Sequence, residues 1–119
     1  MRIKVAREAV PTNDGRLLAG GSLWWTDKPV PAVVGKDIGG NNARTEFTIV
    51  GTVGDFLRES GGWVTGELRL APGFDAKGRA AEVDLDKMEG PDGEPVLTSA
   101  RISQVVLGYS PCWDDMVIE

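Results

Sequence analysis

Hydrophobic positions along the chain recur in short alternating runs cut by glycine-rich turns. Ile3 and Val5 alternate with Arg2, Lys4 and Arg7, the pattern of a strand with one buried face. Pro11-Thr12-Asn13-Asp14-Gly15 follows as a string of turn formers. In the run 46–57, Phe47, Ile49 and Val53 share one parity, and Gly51 between them predicts a bend or a close backbone approach. Ser60-Gly61-Gly62 joins this run to Trp63–Leu70, so residues 46–70 read as a β-hairpin. Only Phe74–Arg79 looks helical, and Gly73 and Gly78 leave room for about one turn. Alternation resumes at Val83 and Leu85, and the polar stretch 89–94 is a turn. Residues 101–109 predict a strand buried on both faces near its end, because Val105, Val106 and Leu107 are consecutive. Met116-Val117-Ile118 predicts an edge strand, and Gly35–Thr45 is the longest stretch without a pattern. The even spacing predicts one mainly β domain over residues 1–119. The expected architecture is a small, closed or partly open antiparallel β barrel or sandwich with at most one short helix.

Composition narrows the chemistry. The 119 residues hold 16 Gly and 7 Pro, in keeping with many turns, and the net charge is −5. An acidic balance removes the electrostatic term that dominates nucleic-acid binding and disfavours anionic lipid surfaces. The absence of histidine excludes Ser-His-Asp and Cys-His catalysis and His-ligated metals. The single Cys112 excludes an intrachain disulfide and a Cys-rich zinc site. The first residues lack a signal-peptide core, and no apolar run nears the roughly 18 residues a membrane span needs. The expectation is a soluble protein with no cofactor and no nucleic-acid or membrane partner.

Candidate sites are few. The acidic run Asp84, Asp86, Glu89, Asp92, Glu94 invites a calcium reading, but an EF-hand loop would need a glycine where Glu89 stands, so a solvated turn fits better. A Ser–Lys dyad needs a desolvated lysine, and no spacing selects a pair. Scattered carboxylates always provide some neighbours and select none. Gly20-Gly21-Ser22 and Gly39-Gly40-Asn41 lack the Gly-Lys-Ser/Thr ending of a phosphate loop and read as turns. The tryptophans are more informative. Trp24 and Trp25 are adjacent, so in an extended segment they face opposite ways. Trp63 reads as core. For Trp24 or Trp25, and for Trp113 just past Pro111, burial and use as a protein–protein anchor both stay open.

Pro11-Thr12-Asn13-Asp14-Gly15-Arg16, Gly21-Ser22-Leu23-Trp24-Trp25 and Lys28-Pro29-Val30-Pro31-Ala32 together resemble the N-terminal region of phage prohead proteases. These are the capsid-maturation serine proteases of tailed bacteriophages. The resemblance continues in order through the 46–70 hairpin, Arg79–Leu85 and Arg101–Glu119. It implies that the family's histidine position is held by Lys36, its serine position by Glu82 and its acidic position, near the last strand, by Gln104. A triad without its members loses orders of magnitude in rate, so the resemblance implies an inactive relative, shortened at the helix before the serine. A fold can outlive one function and host another. The expected function is therefore non-enzymatic: a minor capsid or decoration (cement) protein on the virion. It would bind the outside of the major capsid protein shell and could be a homo-oligomer there. The alternative is a diverged maturation protease or hydrolase with a non-histidine base.

Overall fold

The structure, a computed structural model, describes residues 1–38 and 44–119. Nine strands account for most of it: β1 (Arg2–Arg7), β2 (Leu17–Leu18), β3 (Leu23–Trp24), β4 (Val30–Ile38), β5 (Arg44–Arg58), β6 (Trp63–Leu70), β7 (Ala80–Glu89), β8 (Val96–Leu97) and β9 (Ser99–Gly108). Seven of them form one sheet in the order β1-β6-β5-β4-β9-β3, with β7 on the opposite edge of β9; β2 and β8 form a separate pair.

The local readings of the strands hold in most places. Ile3 and Val5 of β1 are buried, and β5 and β6 pair antiparallel across a 3₁₀ turn at Ser60–Gly62. In β9, Val105 and Leu107 are fully buried and Val106 is half-buried, since β4 flanks this stretch on one side and β7 on the other. Near the C-terminus Val117 makes a single bridge to Ala80, with Met116 and Ile118 turned inward.

Three expectations are corrected. The sheet is mixed rather than antiparallel: β4 and β3 both run parallel to β9, at Ala32–Val33 and at Leu23–Trp24. Such long-range pairing leaves no local pattern in the residues. The segment Phe74–Arg79 is not helical; Gly73 and Gly78 adopt φ of +87° and +82°, which a right-handed turn cannot contain. The stretch expected to be a loop from Gly35 to Thr45 is largely strand. β4 runs on to Ile38 and pairs residue by residue with β5 back to Arg44, while 39–43, including Gly39-Gly40-Asn41-Asn42, lie outside the described residues.

Bulges explain which side chains reach the core. Register shifts fall at Ala32/Val33 against β5 and at Gly54/Leu57 against β6. The first puts Val50 and Val53 inside and leaves Phe47 and Ile49 outside, splitting the trio that shared one parity. The core then gathers Ile3, Val5, Leu23, Phe56, Val64, Leu68, Ile102 and Leu107. β1 lies beside β7 with no ladder between them among the described residues, and the C-terminal residues follow this seam. There the Ile118 N–H donates to the Arg79 carbonyl (2.8 Å), and Lys4 Nζ donates to the Asp115 carbonyl (3.3 Å).

Candidate functional site

Trp24 ends β3 and Trp25 follows it, and a half-buried ion pair holds that short strand in place. Glu8, just past β1, is only 4% exposed. Its Oε1 accepts from Arg58 Nε at 2.8 Å, and its Oε2 accepts from Arg58 Nη2 at 3.2 Å and from the Leu23 N–H at 2.9 Å. Arg58 also donates to the Leu23 carbonyl. One carboxylate and one guanidinium thus satisfy both backbone groups of Leu23. Burial pushes the Glu8 carboxyl upward, but the Arg58 hydrogen bonds, the Leu23 N–H and the Arg58 charge outweigh it and hold the group below the ordinary value of 4.5.

From this clamp the two rings diverge, as their adjacency requires. Trp25 turns toward the core, its ring 5.7 Å from Phe56 with the Arg58 guanidinium 4.8 Å above it. Trp24 is 37% exposed, with Lys87 Nζ and the Arg101 guanidinium each 5.9 Å from its ring centre. Arg101 is itself paired with Asp86 across β7 and β9. Trp113 is corrected as a surface anchor: it is 6% exposed, and its indole N–H donates to the Val10 carbonyl at 2.8 Å. The chain end folds back under the 10–16 loop, so a terminal position does not mean an exposed one. Trp63 is half-buried rather than core, with Lys4 and Arg7 over its ring.

The three positions implied by the protease resemblance do not come together as a catalytic group. Lys36 is exposed near the far end of β4, opposite Glu46 of β5. Glu82 is exposed on β7, opposite Val106. Gln104 on β9 donates through Nε2 to Asp84, its cross-strand neighbour. Among the described residues no serine hydroxyl is hydrogen-bonded to a lysine. Ser103 donates to the Asp84 carbonyl, and the buried Ser22 hydroxyl has no partner.

Comparison with protein-family models, with curated proteins and with solved structures finds no match.

Residue patterns missed an apolar concavity. A cleft of about 310 Å³ opens between the 12–18 segment, β7 and the 94–97 segment, with Cys112 and Trp113 at its base. Its walls are stitched by backbone bonds: Leu17 N–H to the Pro95 carbonyl, Ala19 N–H to the Leu97 carbonyl (both 2.9 Å), and Asn13 N–H to the Cys112 carbonyl (2.8 Å). The lining is chiefly Leu17, Leu18, Val83, Leu85, Val96 and Leu97, with Arg16, Glu82 and Glu94 among the polar lining groups. Arg16 is held by Asp14, Nε to carboxylate oxygens at 3.1 Å, and the hydrogen bonds from Thr12 and Arg16 lower the Asp14 carboxyl. Burial, with Glu82 nearby, pushes the Cys112 thiol up, which makes it a poor nucleophile at neutral pH. An apolar hollow with a sparse polar rim is suited to binding. The only advance signal was the turn-rich 11–16 stretch, together with Glu82.

No described helix is long and apolar enough to cross a membrane.

Proposed function

We propose that this chain is a non-enzymatic minor capsid protein of a tailed bacteriophage, a decoration (cement) protein bound to the outside of the major capsid protein shell. The observation that carries the reading is the content of the three positions implied by the protease resemblance. Lys36, Glu82 and Gln104 occupy them, on separate strand positions, in a chain without histidine. The same reading takes the sheet as a partly open barrel, since its ends β1 and β7 return to each other with the C-terminal residues along the seam. The net charge of −5 favours a basic patch on the shell exterior and disfavours contact with packaged DNA.

Trp24 is the preferred anchor on the shell: it is partly exposed, stands on an edge strand and is flanked by Lys87 and Arg101. Trp25 contributes mainly by holding Trp24 in position. The test adds wild-type protein and Trp24→Ala to shells assembled without it, with bound copies counted by gel densitometry. Binding of the wild type, weakened at least tenfold by Trp24→Ala while the free variant stays folded, supports the reading. Failure of the wild type to bind overturns it. Stoichiometric labelling of a serine by a fluorophosphonate probe would favour the diverged hydrolase instead.

A further inference from the structure

Strand pairing stops on either side of one seam. β1 is laddered to β6 and β7 to β9, and among the described residues no ladder joins β1 to β7. Residues 115–119 lie along this gap, with a hollow of about 400 Å³ between them and residues 1–4. The two banks hold the segment unequally. On the β7 side the Gly78 N–H donates to the Ile118 carbonyl and the Ile118 N–H to the Arg79 carbonyl, both at 2.8 Å, and Val117 bridges Ala80. On the β1 side, among the described residues, one side chain makes the polar contact. Lys4 Nζ donates to the Asp115 carbonyl at 3.3 Å while lying 4.5 Å from the centre of the Trp63 ring.

The chain just before this segment is fixed. Trp113 is buried with its indole N–H on the Val10 carbonyl, and the Cys112 carbonyl accepts from the Asn13 N–H. Asp114 and Asp115 follow, both exposed, and Asp115 stands at φ +66°, a left-handed backbone that disfavours a residue with a Cβ. Met116 and Ile118 then turn inward, with Val117 between them facing out. An anchor, a strained joint and a short apolar strap make a hinged segment. Lifting the strap breaks its own few bonds and uncovers two side chains, yet it takes apart no ladder of the sheet, and the strain at the joint is relieved. A segment of this kind opens at a lower free energy than the sheet unfolds.

We propose that residues 116–119 are a latch over the β1–β7 seam, which swings about Asp114 and Asp115 and opens the seam while the sheet stays folded. Lys4 is the pin on the β1 bank. Opening frees the Gly78 N–H and the Arg79 carbonyl together and uncovers the apolar surface beneath Met116 and Ile118. The latch does not depend on the capsid reading, and its test uses the isolated chain without shells.

Native-state hydrogen exchange, followed by NMR at low urea, reads the opening directly. The Gly78 and Ile118 amides should share one protection factor, roughly a hundredfold below that of the slowest amides of β5, β6 and β9. Their exchange should depend little on urea, because a local opening exposes little surface. Lys4→Met should speed both amides about threefold through the lost hydrogen bond. Ile118→Val, which removes one buried methylene, should speed them about fivefold. Glu8→Gln lies in the clamp, which stays intact when the latch opens, so it should speed the slowest sheet amides and leave Gly78 and Ile118 unchanged. The proposal is overturned if the two amides match the slowest sheet amides in rate and urea dependence, or if Glu8→Gln speeds them as much as it speeds the sheet. It is equally overturned if Lys4→Met and Ile118→Val leave them unchanged, or if both exchange at the rate of a free peptide, which would mean that the strap is never closed.

Discussion

Removing the Arg58 guanidinium should expose how much the Glu8 clamp supports the fold, and the effect should depend on pH in a defined direction. Arg58→Met keeps much of the stem that lies over Trp25 but deletes the charge. Glu8 Oε1 then loses its Arg58 partner, and the carboxylate is left to backbone N–H groups, that of Leu23 foremost, in a site where the residue is 4% exposed. Breaking a buried pair from one side costs about 3–5 kcal/mol. Here the Arg58 side chain is 44% exposed, so water reaches part of the site and the loss should be about 2–3 kcal/mol at pH 7. Glu8→Gln should cost less, about 1 kcal/mol, because the half-exposed guanidinium left behind can be hydrated. In the wild type the Glu8 carboxyl is lowered in the folded state, so its contribution is present above the unfolded value and fades as pH falls through the folded one. In Arg58→Met burial is no longer outweighed, so the folded carboxyl should titrate above the ordinary range. Protonation then relieves the variant as pH falls. The stability gap between wild type and Arg58→Met should therefore narrow between neutral pH and roughly pH 4. Urea unfolding followed by tryptophan fluorescence at both pH values reads this directly. A gap that stays constant or widens on acidification, or an Arg58→Met no worse than Glu8→Gln, would refute the assignment.

Two further substitutions probe the supports of the same region. Trp113→Ala should destabilise by about 3–5 kcal/mol in thermal or urea unfolding, from the lost buried ring and the unpaired Val10 carbonyl; a change below about 1 kcal/mol would return this residue to the surface. Gly62→Ala should cost about 2 kcal/mol or more, because Gly62 has φ +83° and a Cβ there would fall on the Glu8 carbonyl oxygen.

What could be read from the residues was whatever alternation and turn chemistry encode locally. β1, the β5–β6 hairpin and the doubly covered end of β9 all carry clear signals, and each forms where expected. The stretch Gly35–Thr45 resembles a loop in sequence because its described residues, Gly35, Lys36 and Thr45, are exposed. Without burial there is no selection for alternation, so Gly35 and Lys36 give no strand pattern although they pair as a strand. The trio Phe47, Ile49 and Val53 misled for a related reason. Parity survives along a strand only until a bulge, and the register shift near Val50 falls inside the trio. The ladders to β9 and the cleft join segments far apart in sequence, from Leu17 to Val83 and Leu97. Pattern along one segment carries no information about such meetings.

Two bulges connect the fold to its exposed surfaces. A non-glycine residue sits at positive φ in each, Asp55 in β5 and Lys87 in β7, both at φ +48°. Such a backbone costs on the order of 1–2 kcal/mol per residue, so it persists where the surrounding register imposes it. In β5 the shift lets Arg58 donate to Glu8 while Phe56 stays buried against Trp25. In β7 the shift between Asp86 and Glu89 carries Lys87 over the Trp24 ring and leaves Met88, 59% exposed, along the cleft. The same local strain therefore serves both faces. The clamp fixes the strand that displays Trp24, and the β7 bulge sets its cationic neighbour and part of the cleft wall. A surface built on two bulged strands and a half-buried ion pair is pre-organised, so little conformational entropy would be lost in any docking there.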